Sequence, residues 1–399
     1  MPGSEPASIE ADRGFERLGS NQSGMRARNE RLVLSLVRKH GALPKAELAR
    51  MTSLSAQTVS VIMRSLEKDG LLERGAKLRG KVGQPSIPMR LAPNGALFFG
   101  FKVGRRSAEL ILVNFLGEIQ ARAQQTYRYP SPKRTLDFLR SAISKITADL
   151  GLDMRSRISG LGIATPFFLW EWAAAIGVDE SEMAAWKDFD LAAEIQELVD
   201  FPVILENDAT CACGAELVFG KGAAPSDFLY LYIGYFIGGG IVLNGNLFTG
   251  PSGNAGAIGP LPTDGSVTRS RQLVDVASLA GLEKRLLAEG GKVSQIWASP
   301  DAWDIPQRIV ESWLDEAVPA IAHAILSSIS VIDFTAILID GSMPVDLRSE
   351  LVARVDRRLS ELNLSGLGKP EILPGSVGAN ARSIGAASLP LSKRFMLEF

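Results

Sequence analysis

Cysteine and histidine are scarce: Cys211, Cys213, His40 and His323 are all that 399 residues contain. Two cysteines cannot build a disulfide framework, and a spacing of two without a second pair is not that of a zinc finger. No Cys/His metal site is expected, and the two thiols read as small buried groups. No apolar run approaches the ~18 residues of a membrane span, and the first stretch, MPGSEPASIEADRGFERLGSNQ, lacks the apolar region of a signal peptide. These absences predict a cytoplasmic protein with no membrane partner. Net charge is nearly absent too, at −1, while 46% hydrophobic and 22% charged residues exclude a largely disordered or fibrous chain. The length predicts more than one domain.

The small net charge hides an asymmetry. Residues 24–91 hold fourteen Lys and Arg against five Asp and Glu, whereas the chain beyond them is acidic. A compact basic segment joined to a long acidic one predicts a nucleic-acid-binding module attached to something else. Residues 1–24, rich in Ser, Gly and charge without an apolar period, read as a disordered tail. Residues 25–92 read as the DNA-binding domain and 93–399 as the second.

Within 25–92, Leu32, Leu36 and Val37 recur at helical spacing between Arg26 and Lys39, and Gly41 stops that helix. Pro44 suits the first turn of a short second helix, PKAELARM. A third helix is expected from Ala56 to Asp69, capped by Ser55 and stopped by Gly70. Its Val59, Ile62, Met63 and Leu66 form one apolar face. The other face carries Gln57, Thr58, Ser60 and Arg64, which with Ser55 are the side chains expected to contact base edges and phosphates in a major groove. Strands at 71–73 and 87–91 would flank a basic turn with Lys77, Arg79 and Lys81, a wing for the DNA backbone or minor groove. The plain alternative is a three-helix bundle with a solvated charged face; the basic charge and the basic hairpin favour DNA.

After Pro93 strands alternate with helices, as in an α/β domain. Strands are expected at 97–103, 109–114, 119–127, 158–164, 203–205, 228–233, 240–243 and 336–340. Helices are expected at 135–150, 273–287, 303–330, 345–362 and 379–389. The pattern roughly repeats once, as a two-lobed fold with a cleft requires.

Several segments match one family in order and spacing. The helix-turn-helix followed by GQPS (83–86), then LENDATCACGAELVFG (205–220), YIGYFIGGGIVLNGNLFTGPSGNAGAIG (232–259), ILIDGS (337–342) and SIGAA (383–387) resemble the ROK family of repressors and sugar kinases. The resemblance covers nearly everything after residue 25. It implies two lobes of ribonuclease H-like, actin-like type with a sugar between them.

In the family's kinases the first strand and turn carry an Asp followed by Gly and Thr, which cradle ATP phosphate and magnesium. Here Lys102 takes the Asp position, and Arg105 and Arg106 replace the small residues. A lysine cannot ligate magnesium. Tyr235 and Phe236 stand where the kinases have Thr and Gly, so rings occupy space that a nucleotide phosphate needs. Gly238, Gly239 and Gly240 remain and read as a tight backbone turn. Asp208 matches the family's catalytic base, and Asn207 and Asp208 can equally hold vicinal hydroxyls or cap the following helix. Two further family positions, a Glu and a His, are Ala257 and Pro260 here. The His normally joins three Cys in a zinc site, and residues 265–278 have no Cys. His323, among Ala, Ile and Leu, reads as a packing residue.

The expectation is therefore a DNA-binding regulator, most naturally a repressor, acting as a homodimer or higher homo-oligomer. Asn207 and Asp208 would bind a small sugar or polyol effector. No catalytic residue, metal or cofactor is expected. The alternatives are a sugar kinase with a DNA-binding appendage, which Lys102, Tyr235 and Phe236 oppose, and a DNA-binding protein with a vestigial cleft, for which Ala257 and Pro260 speak.

Overall fold

The computed structural model describes residues 22–76, 87–173, 178–220, 225–263, 271–297 and 299–397. The expected tail lies almost wholly outside them, as do the wing residues Lys77, Arg79 and Lys81. The chain forms two compact units.

The first unit takes the described residues up to Arg90, together with Phe395–Leu397 from the far end of the chain. It comprises α1 (Gln22–His40), β1 (Ala42–Leu43), α2 (Lys45–Thr52), α3 (Ala56–Lys68), β2 (Leu72–Arg74) and β3 (Met89–Leu91). The strands form one sheet in the order β1-β3-β2. This is a winged helix-turn-helix; the two-residue β1, too short for a periodicity, is absent from the sequence reading. The buried face of α1 is Val33, Leu34 and Val37, rotated from the expected Leu32 and Leu36, which are only partly covered. Pro44 precedes α2 as its N-cap instead of entering its first turn. Between α2 and α3, Ser53 takes a left-handed φ of 58°. The Leu397 N–H donates to Ser35 Oγ at 2.9 Å, which ties the returning segment to α1.

The second unit, residues 91–394, is built on two five-stranded sheets. The first orders its strands β6-β5-β4-β7-β8, the second β11-β10-β9-β12-β13. The first sheet holds β4 (Leu97–Val103), β5 (Ser107–Val113), β6 (Ile119–Thr126), β7 (Ile158–Thr165) and β8 (Val203–Asn207). The second holds β9 (Phe228–Ile233), β10 (Ile237–Leu243), β11 (Asn246–Phe248), β12 (Ala336–Gly341) and β13 (Glu371–Pro374). In each, three antiparallel strands are followed by two parallel ones. The same order twice is the repeat that the sequence pattern predicted, in the ribonuclease H-like form that the family resemblance implied.

Helix α4 (Pro132–Ala148) covers the first sheet, with Leu139, Ala142 and Ile146 packed beside Phe99, Phe101 and Leu110. The second sheet is covered by α8 (Gln307–Ile329) and α9 (Val345–Ser360), whose Trp313, Ile321, Leu351 and Val355 share a core with Leu231 and Ile339. Helix α5 (Asp208–Phe219) leaves the first sheet and packs on the second, and α10 (Ala381–Phe395) leaves the second and packs on the first.

These crossings explain the small residues. A Cβ on Gly240 would lie 2.5 Å from Cys213 Cβ, one on Gly100 2.0 Å from the Ser383 carbonyl oxygen, and one on Gly162 1.7 Å from that of Ala386. The trio Gly238–Gly240 is thus not a turn: it lies within β10, opposite Tyr232, Leu231 and Tyr230, where α5 presses on Gly238 and Gly240 and the Gly256 carbonyl on Gly239.

Two other expectations change. The single helix over 273–287 is two, α6 (Leu273–Ala277) and α7 (Leu279–Ala288), broken where Ser278 takes an extended ψ of 153°. His323 is on the exposed side of α8, not in its packing. Cys211 and Cys213 are buried, as expected. No helix among the described residues is long and apolar enough to cross a membrane.

Candidate functional site

Two surfaces merit attention. The first is α3. Ser55 Oγ accepts from the Thr58 N–H at 3.0 Å, fixing the helix start. Val59, Ile62, Met63 and Leu66 are all buried, so the opposite face is presented outward. Gln57 and Arg64 are exposed; Thr58 and Ser60 are half-buried. Thr58 Oγ1 is engaged with Ser55 Oγ at 2.8 Å, and Ser60 Oγ donates to the Ala56 carbonyl at 2.9 Å. Sequence reading overlooked Val61, which is 47% exposed and stands between Gln57 and Arg64 on the outward face. Its signal was available: an apolar residue one step off the buried stripe, with the size to contact a thymine methyl.

The second is a cavity of about 980 Å³ between the two sheets. Asn207 caps α5: its Oδ1 accepts from the N–H groups of Ala209 (3.0 Å) and Thr210 (3.4 Å). The cap reading therefore holds for Asn207, and its amide group is what remains for the cavity it lines. Asp208, in the first turn, accepts from Arg382 Nη1 at 3.2 Å. Behind them the Glu206 carboxyl accepts from the Asn207 N–H at 2.8 Å, and burial holds it above the usual carboxylate range. Ala257 and Pro260 also line the cavity and offer no side-chain hydrogen bond. On one wall Phe168, 47% exposed, takes a left-handed φ of 58°, a conformation that strains an aromatic residue.

At the end where the kinases cradle phosphate, Lys102 and Glu109 are direct cross-strand partners, with Nζ 3.8 Å from Oε2. Glu109 Oε2 also accepts from Ser383 Oγ at 2.8 Å, and Oε1 lies 3.3 Å from Arg122. Burial, then repulsion by Arg382, pulls Lys102 down to about 8, against the attraction of Glu109 and Asp208. Beyond the strand end, the Arg105 guanidinium lies 3.6 Å over the Tyr235 ring and 4.5 Å over that of Phe236, and Tyr235 stacks on Trp297. The Ser278 break shapes this corner. It frees the N–H groups of Leu279 and Ala280 to donate to the carbonyls of Gly234 (3.0 Å) and Tyr235 (3.1 Å). The residues present do not fit a magnesium nucleotide: a cation replaces the metal-holding acid, and a stacked guanidinium fills the phosphate turn. Among the described residues no cluster of three His, Cys, Asp or Glu is placed to hold a metal.

Sequence reading named Asn207 and Asp208, which both line the cavity, but not Glu109, Arg122 or Arg382, which line it too. Glu109 carried a signal, a carboxylate inside the apolar strand AELIL. Arg122 and Arg382 carried none, because only the sheet register and the return of α10 bring them to the cleft.

The ROK family model matches residues 98–393, and a model described as winged helix-turn-helix DNA-binding matches residues 26–73. The xylose repressor of Bacillus subtilis (strain 168) is 26% identical over 61% of this chain and 63% of its own length. The xylose repressor of Lactiplantibacillus pentosus is 24% identical over 95% of this chain and 91% of its own. A crystal structure of a ROK family transcriptional regulator, homologous to the Escherichia coli MLC protein, has a TM-score of 0.67 at 19% identity. It covers 93% of this chain and 97% of that one, a likeness of fold.

Proposed function

The chain belongs to the ROK family, and from that premise we propose that it is a sugar-responsive DNA-binding repressor without kinase activity. The observation that carries the reading is the joining of an outward-facing α3 to a cavity whose nucleotide end is filled by Arg105, Tyr235 and Phe236. The xylose repressors to which it is similar support a sugar or polyol as effector. Gln57, Ser60, Val61 and Arg64 would read the major groove, Thr58 and Ser55 would fix the helix start, and Lys77, Arg79 and Lys81 would reach the backbone. Asn207 and Asp208 would hold effector hydroxyls, and a homodimer would set two α3 helices on one operator.

A kinase reading needs a metal site, and Lys102 opposes one with its own charge. A gel shift on the DNA flanking its own gene, with and without sugars and polyols, tests the proposal. Operator affinity should change with at least one of them, and Asp208→Ala should abolish the change while leaving ligand-free DNA binding intact. Loss of DNA binding and fold together in Asp208→Ala would make the residue structural. ATP-dependent ADP release on a sugar would overturn the non-enzyme reading.

A further inference from the structure

The cavity is rich in cations, and Ala257 and Pro260 line it without offering a side-chain hydrogen bond. Lys102, Arg105, Arg106, Arg122 and Arg382 line the cavity against Glu109, Asp208 and Asp275. At its floor three cations share two carboxylates. Glu109 is taken at shorter range by Arg122 and Ser383 than by Lys102, and Asp208 faces Arg382 at 3.2 Å.

The Lys102 side chain is only 11% exposed, yet its nearest carboxylate oxygen is 3.8 Å away, outside hydrogen-bond reach. Arg382 Nε is buried with no hydrogen-bond partner. A buried cation whose hydrogen bonds are unmet is costly, so an anion that supplies the missing acceptors is favoured beside it.

Resting on the effector reading above, we propose that the ligand is a polyol carrying an anionic group, a carboxylate or a phosphate. Lys102, Arg122 and Arg382 hold the anion while Asn207 and Asp208 read its hydroxyls. Two oxygens of such a group can accept from the Lys102 ammonium and a guanidinium together, charge-assisted bonds that a neutral sugar does not make.

The test is calorimetric titration of the full chain at pH 7 with matched pairs: glucuronate against glucose, gluconate against sorbitol, glucose 6-phosphate against glucose, and inorganic phosphate alone. At least one anionic member should bind about tenfold or more tightly than its neutral partner, as bonds to a charged group require. The arm that gains tells carboxylate from phosphate. Lys102→Met should erase the gain, and Lys102→Arg should keep most of it. Arg122→Gln, at a more exposed side chain that tolerates change, should reduce it in the same direction.

The gain should also fade above about pH 8 as Lys102 loses its proton, with Glu109, Arg122, Asp208 and Arg382 the charged groups facing it. Neutral members binding as tightly as anionic ones, or a gain indifferent to both Lys102→Met and Arg122→Gln, would overturn the proposal and leave a neutral effector standing. Failure of every member to bind would remove the effector reading with it.

Discussion

Single residues show how costly the interior charges are. Asp340, fully buried, accepts from Arg348, from the Tyr230 hydroxyl at 2.9 Å and from the N–H groups of Gly341 and Gly378. Removing one partner of such a pair strands the other, so Asp340→Ala should cost roughly 3–5 kcal/mol in urea unfolding, while Asp340→Leu with Arg348→Met should recover most of it. Equal loss in the single and double variants would show that the charges are not coupled.

Lys102 makes a pH-dependent prediction. Its folded value of about 8 lies below the ordinary 10.5. The unfolded chain then binds the extra proton between those values, so this residue's contribution raises stability as pH climbs from 8 towards 10.5, and its full cost is present below 8. The stability gap between wild type and Lys102→Met should therefore shift in favour of wild type from pH 8 to 10. A constant gap would contradict the burial of an ammonium there. Comparing the two proteins cancels the buried tyrosines Tyr230 and Tyr232, which burial pushes upward.

At the scale of elements, α5 and α10 matter most, because each starts at one sheet and packs on the other. The cap of α5 can be separated from its ligand role. Asn207→Ala should lower stability by about 0.5–2 kcal/mol, as loss of a cap does, whereas Asn207→Asp should retain the cap and remove the amide donor. Denaturation and ligand titration on both variants check this; intact ligand binding in Asn207→Asp would limit the residue to capping. The strand holding Gly238–Gly240 shows why local reading misassigned that trio. Glycine signals either a left-handed turn or a close approach, and only the positions of α5 and of Gly256 reveal the second. The break at Ser278 is similar. Its hydroxyl accepts from the Ile237 N–H at 2.9 Å and its carbonyl from Trp313 Nε1 at 3.2 Å, partners from distant segments that outweigh the helical preference of its neighbours.

For the whole molecule, the homodimer proposed above requires two copies of α3 to protect half-sites about one helical turn, 10–10.5 base pairs, apart. Footprinting on the isolated operator checks that spacing, and protection of a single half-site by a monomer would refute it. A hinge between the lobes would need only about 1.4 kcal/mol of coupling to change operator affinity tenfold.

The sequence by itself determined the class of each unit. The apolar stripe of α3, the basic charge of residues 24–91 and the repeated strand pattern are local quantities that survive whatever the rest of the chain does. Lys102, Ala257 and Pro260 are likewise read one position at a time, and the expectation of a non-enzyme rests on such single positions. Only the tertiary structure decided the character of the cavity. Lys102, Glu109, Arg122, Asp208 and Arg382 come from five separate elements, and the charge balance among them arises from sheet register and from the crossing of α5 and α10. The sequence spreads those side chains over 281 positions, from 102 to 382, and electrostatic interaction depends on distance in space and on burial, neither of which a linear order contains.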